Sequence, residues 1–88
     1  MEKVILKFWS HGCVNCKAME PFIIQLRIAY SDIAVRDIDT NTNEDLVKQY
    51  DIQSLPTLVF LLDGKEVGKL VGLKPKSLIE KKIAEVYS

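Results

Sequence analysis

The sequence predicts an α/β domain in which a four-stranded mixed sheet carries helices on both faces, in the chain order βαβαββα. Three observations predict it. An apolar run near the start, Val4-Ile5-Leu6 with Phe8 and Trp9, has the near-continuous hydrophobicity of a strand covered on both sides. Segments with apolar residues three and four apart stand on either side of a second short strand. A late run, Thr57-Leu58-Val59-Phe60-Leu61-Leu62, passes straight into Asp63-Gly64, the residues of a tight hairpin turn. At 88 residues there is room for one domain, spanning 1–88.

Each element has its own signal. Residues 3–9 form the first strand. Residues 14–30 place Met19, Phe22, Ile23, Leu26 and Tyr30 along one side of a helix. Pro21 lies inside that helix, where it removes an amide donor and predicts a kink. Residues 33–39 read as a second strand. Thr42-Asn43-Glu44-Asp45 fits a capping box, a hydroxyl three residues before a carboxylate, opening a short helix with Leu46, Val47 and Tyr50 on one side. The hairpin of residues 57–62 returns through Lys65 to Val71. Pro75 suits a first helical position, and Leu78, Ile79, Ile83 and Val86 give the last helix an apolar stripe. Its Lys81 and Lys82 belong to a solvated face. Phe8, Phe22, Phe60, Tyr30, Tyr50 and Tyr87 fall at core or core-edge spacing.

Composition narrows the function. A hydrophobic content of 48% supports a packed core and excludes a disordered tail. Twelve basic and twelve acidic residues leave a net charge of zero, which argues against nucleic acid or an anionic membrane as partner. No apolar run approaches the roughly 20 residues that cross a bilayer. The first nine residues lack a signal-peptide layout, since Lys7 interrupts the apolar stretch and no small-residue cleavage site follows. The expectation is a cytoplasmic protein in a reducing setting. There, two cysteines three apart point to catalysis or metal binding rather than a structural staple.

Those cysteines, in Cys13-Val14-Asn15-Cys16, fall where the first strand ends and the first helix begins. One helical turn holds residues three apart at about 5 Å between Cα atoms, within the range of a disulfide. The pair can therefore open and close with little backbone movement. The helix N-terminus also favours an anion, so the thiolate is stabilised there. An ordinary thiol is only about 3% thiolate at pH 7, which makes such stabilisation useful. Cys13, nearer the exposed tip, is the candidate that attacks a substrate disulfide. Cys16, one turn deeper, attacks back and releases the reduced substrate, helped by its high effective concentration.

The run Phe8-Trp9-Ser10-His11-Gly12-Cys13-Val14-Asn15-Cys16-Lys17 resembles the active-site signature of the thioredoxin family, in which an apolar strand ends in Trp and enters a Cys-Gly-Pro-Cys-Lys turn. Pro21 matches that family's helix proline, and Ser54-Leu55-Pro56-Thr57 resembles its cis-proline loop. Asp63-Gly64 and Gly72 fall where the family places its hairpin and a late glycine. The resemblance spans residues 3 to about 87, a glutaredoxin-length version without the strand and helix that open an ordinary thioredoxin. It implies a minimal thioredoxin fold and a protein-disulfide reductase with a Cys13–Cys16 redox disulfide. It implies that Trp9 supports the turn, and that Pro56 and the backbone of Leu55 dock a substrate strand. It also implies disulfide-containing client proteins as substrates and a thioredoxin-reductase-type or other dithiol electron donor. A monomer without bound cofactor or metal completes the expectation.

Several positions depart from the family pattern. Lys7 stands where thioredoxins usually carry a buried Asp that handles the proton of the deeper cysteine. Either Lys7 extends beneath Cys16, stabilising thiolate or relaying a proton, or it snorkels to the surface because that face is uncovered. Gly12 replaces a second Trp and opens the approach to Cys13. Val14-Asn15 replaces Gly-Pro between the cysteines, where the dipeptide tunes the redox balance. His11 is the only histidine; it either modulates the thiolate near pH 6.5 or is simply solvated.

Two other readings use the same residues. His11, Cys13 and Cys16 supply three zinc ligands, but a fourth must be a carboxylate or come from a second chain, as would an iron–sulfur cluster bridging two subunits. A glutathione-dependent, glutaredoxin-like enzyme suits the length. Against it, Val71-Gly72-Leu73-Lys74 stands where that family's Gly-Gly-Asp-type glutathione contact would be.

Overall fold

A strand at the middle of a sheet must be apolar on both faces, and β1 (Lys3–Trp9) meets that demand with Val4, Leu6 and Phe8 on one side and Ile5 on the other. In the computed structural model, which describes all 88 residues, β1 is followed by α1 (Val14–Ala29), β2 (Ile33–Asp39) and α2 (Glu44–Gln49). Then come β3 (Thr57–Leu62), β4 (Lys65–Val71) and α3 (Lys76–Tyr87). The sheet order is β2-β1-β3-β4, with β1 and β2 parallel and the other two pairings antiparallel. This is the predicted mixed sheet.

Alternation along β1 divides the core in two. On one face α1 and α3 lay Met19, Ile23, Leu26, Ile79 and Ile83 over Ile5, Ile33, Leu58 and Phe60. On the other, Val4, Leu6, Phe8, Val59 and Leu61 are covered by Leu46, Val47 and Tyr50 of α2 and its flanks, with Ile52 and Leu55. Lys7 points to the α1 face, between Ile5 and Trp9. At the far end of α3, Tyr87 reaches back to the sheet centre, its hydroxyl 3.0 Å from the Val4 carbonyl oxygen and 2.9 Å from that of Leu61. Burial pushes the Tyr87 hydroxyl pKa up to about 12.

The turns obey their residues. Asp63 and Gly64 both take positive φ, 51° and 83°, as a two-residue hairpin requires. α1 runs unbroken through Pro21. Four details differ from expectation. Thr42 does not close a capping box: Asn43 is the N-cap of α2 and makes no side-chain cap bond. Its Nδ2 donates instead to the Asp39 carbonyl at 2.9 Å and to the Thr42 hydroxyl at 3.2 Å, because the turn after β2 draws both side chains backwards. Glu44 and Asp45 in the first turn complement the helix dipole in place of the cap. Pro75 is the N-cap of α3 rather than its first helical residue. Leu78 is exposed, since Ile79 and Ile83 set the buried face and Leu78 is turned about 100° from Ile79. Lys82 is half-buried, its stem lying along Gly68 of β4.

Candidate active site

β1 ends at Trp9 and the chain turns through Ser10, His11 and Gly12 into α1. The turn is tied by the Cys13 amide donating to the Ser10 carbonyl at 3.3 Å, and the Thr40 amide holds the Trp9 carbonyl at 3.0 Å. Cys13 becomes the N-cap of α1, with extended φ and ψ. Cap residues are those whose side chain accepts an amide of the first turn, and here sulfur does so: the Cys16 amide donates to Cys13 Sγ at 3.1 Å. Cys13 and Cys16 are joined in a disulfide, their Cα atoms 5.3 Å apart. Cys13 is partly exposed and flanked by the exposed Gly12 and Val14, whereas Cys16 is buried. The two sulfurs thus differ in access, and the outer one lies under the positive end of a 16-residue helix.

Pro56 is buried, and its carbonyl accepts from the Gly72 amide at 2.7 Å. The Leu55–Pro56 peptide is cis. Leu55 itself, half-buried, has neither amide nor carbonyl hydrogen-bonded within the chain. A free donor and a free acceptor on one residue are what an extended peptide pairs with.

Below the cysteines lies a cleft of about 500 Å³ lined by Lys7, Trp9, Cys16, Lys17, Glu20 and Asp37, with Ser10 and His11 at its rim. Lys7 does not snorkel: its side chain is 5% exposed, and its ammonium meets the Glu20 carboxylate of α1 and that of Asp37 of β2, the latter at 3.2 Å. Asp37 also receives the Arg27 guanidinium at 3.0 Å. The face above Lys7 is covered by α1, so the side chain has to find partners within the fold. His11 is well exposed; its ring meets Trp9 edge-on at 4.8 Å, with Nε2 3.6 Å from Asp39 Oδ2. No three His, Cys, Asp or Glu side chains gather where they could hold a metal ion.

The thioredoxin family model matches residues 1–85. The chain belongs to the thioredoxin family. It is 36% identical to thioredoxin H5 of Oryza sativa over 78 residues, covering 89% of this chain and 58% of that protein. It is 32% identical to mitochondrial thioredoxin-3 of Saccharomyces cerevisiae over 77 residues, covering 88% and 61%. The chain therefore spans about three-fifths of the length of these two thioredoxins. Among solved structures, a thioredoxin from Nicotiana alata superposes with a TM-score of 0.90 at 34% identity, over 97% of this chain and 73% of that one.

Against this thioredoxin frame, Glu20 and Asp37 are the site residues that sequence reasoning missed. Glu20 had a local signal, being four residues beyond Cys16 and so on the same helix face. Asp37 had none, since its position opposite Lys7 follows from the parallel register of β1 and β2.

Proposed function

We propose that this chain is a thiol–disulfide oxidoreductase that reduces disulfides in other proteins, with Cys13 as nucleophile and Cys16 as resolving thiol. One observation carries the reading: an accessible Cys13 sulfur caps a long helix and receives its first-turn amide, while a buried partner stands one turn away. In the reduced protein the same amide and dipole favour a Cys13 thiolate. That thiolate attacks a client disulfide, breaking its S–S bond and forming a mixed disulfide. Cys16 then displaces the client's second sulfur and regenerates the Cys13–Cys16 bond, so the two electrons end on the client as two thiols. The unpaired backbone of Leu55 beside the buried Pro56 supports docking of the client as a short added strand, with Trp9 bracing the turn.

Each cycle leaves this chain oxidised, so it needs an outside donor. A thioredoxin-reductase-type flavoprotein or another dithiol fits that need, and a reducing, cytoplasmic setting suits it. The chain works as a monomer in this reading. The test pairs two measurements. The reduced wild-type protein should reduce insulin disulfides with dithiothreitol as donor, and Cys16→Ser should accumulate a covalent mixed disulfide through Cys13, visible by non-reducing gel and mass spectrometry. An inert wild type together with no trapped adduct rejects the proposal.

A further inference from the structure

One charged side chain in the cleft is almost wholly withdrawn from water, and the reaction so far gives it nothing to do. Lys7 is 5% exposed, and an ammonium carries three N–H donors. Glu20 and Asp37 are its carboxylate partners, and no third protein acceptor reaches it. The wall it shares with Cys16 supplies a use. Cys16 and Glu20, four apart on α1, stack on the helix face that covers Lys7, and all three line one cleft.

We propose that Lys7 is a positioning residue for the resolving thiol, its ammonium stabilising the Cys16 thiolate across the cleft while Glu20 and Asp37 offset the cost of burying the cation. The proposal rests on the dithiol reading above. In the resolving step the Cys16 thiol gives its proton to water in the cleft, and the thiolate attacks Cys13 Sγ. The bond from Cys13 to the client breaks, and the client sulfur leaves with the electron pair and takes up a proton. Burial alone opposes forming the Cys16 thiolate, so a nearby cation is what this step lacks.

The surrounding charges decide the sign. α1 contributes Lys17, Glu20 and Arg27, the last bound to Asp37; β2 contributes Asp37; the rim carries His11 beside Asp39. β3 presents only apolar Leu58 opposite Lys7. Lys7, Lys17 and Arg27 balance Glu20, Asp37 and Asp39, so removing the Lys7 charge leaves a net negative set around Cys16 and disfavours its thiolate.

The experiment isolates Cys16 with Cys13→Ser and titrates it by thiolate ultraviolet absorbance. Lys7→Met on that background should raise the midpoint by about one pH unit or more, and Lys7→Arg, which keeps the cation, should leave it near the parent value. With both cysteines present, Lys7→Met should slow the resolution of a preformed Cys13 mixed disulfide at pH 7 by about tenfold, the slowing fading at alkaline pH. Superimposable Cys16 titrations overturn the proposal, and so does an equal shift in Lys7→Arg and Lys7→Met, which would mark a packing effect. Should Lys7→Met fail to fold by circular dichroism, Lys7→Gln is judged by the same criteria. None of these readouts needs a client protein. A flat titration therefore removes the role of Lys7 and leaves the dithiol reading to the wild-type insulin assay.

Discussion

Replacing Tyr87 with Phe removes one oxygen and leaves the ring that packs on Phe60 at 6.3 Å between centroids. That oxygen lies between the Val4 carbonyl of β1 and the Leu61 carbonyl of β3, at 3.0 and 2.9 Å. A hydroxyl has a single proton, so only one full hydrogen bond is lost, from a half-buried site, with a net cost of about 1 kcal/mol. For a domain of this size that lowers Tm by roughly 4–8 °C. The pH dependence is a second signature. Burial raises the folded-state Tyr87 pKa to about 12 from the ordinary 10.0, so the folded chain keeps a proton that the unfolded chain loses. This contribution is complete below pH 10 and is lost as pH rises from about 10 towards 12. The gap in stability between wild type and Tyr87→Phe should therefore narrow over that window, because the other tyrosines titrate alike in both proteins. A thermal melt at pH 7 and urea unfolding at pH 7 and at steps above pH 10, both proteins oxidised, measure it. An unchanged Tm at pH 7, or a gap that keeps its neutral-pH size through pH 11.5, refutes the reasoning.

Gly68→Ala should destabilise by about 1–2 kcal/mol, because an added Cβ would come within 2.9 Å of Val86 Cγ1 and Lys82 Cε on α3. Lys82 can swing aside and Val86 cannot, so adding Val86→Ala should recover part of the loss in a thermal melt; no recovery places the clash elsewhere. Lys7→Met should stay within about 1 kcal/mol of wild type by urea midpoint, since an apolar chain of similar length replaces a buried cation. Removing both partners, Glu20→Gln with Asp37→Asn, strands the ammonium and should cost about 2 kcal/mol. That is below the value for a fully buried pair because each carboxylate is nearly half exposed. The reverse order of these two midpoints would contradict the assignment.

Much of the site was legible because its signals are local. Strand-to-helix punctuation located Cys13 and Cys16, and the spacing of three put them within bonding reach. Asp63-Gly64 specified its own turn, since few other residues accept positive φ in succession. The errors arose where a local pattern competed with its surroundings. Thr42 and Asp45 carry the letters of a capping box, but the turn leaving β2 places Asn43 at the cap. Leu78 has helical spacing with neighbours that are buried, yet the width of the α3 contact leaves it in water.

The chain by itself determined the elements, their order and the redox pair, because propensity, periodicity and a helix terminus act over a few residues. Only the folded structure decided the fate of Lys7. Its partner Glu20 lies 13 residues away and Asp37 30 residues away, and they meet it only when α1 closes over β1 and β2 pairs beside it. Charge interactions depend on distance through space and on burial, and neither quantity is written in sequence separation.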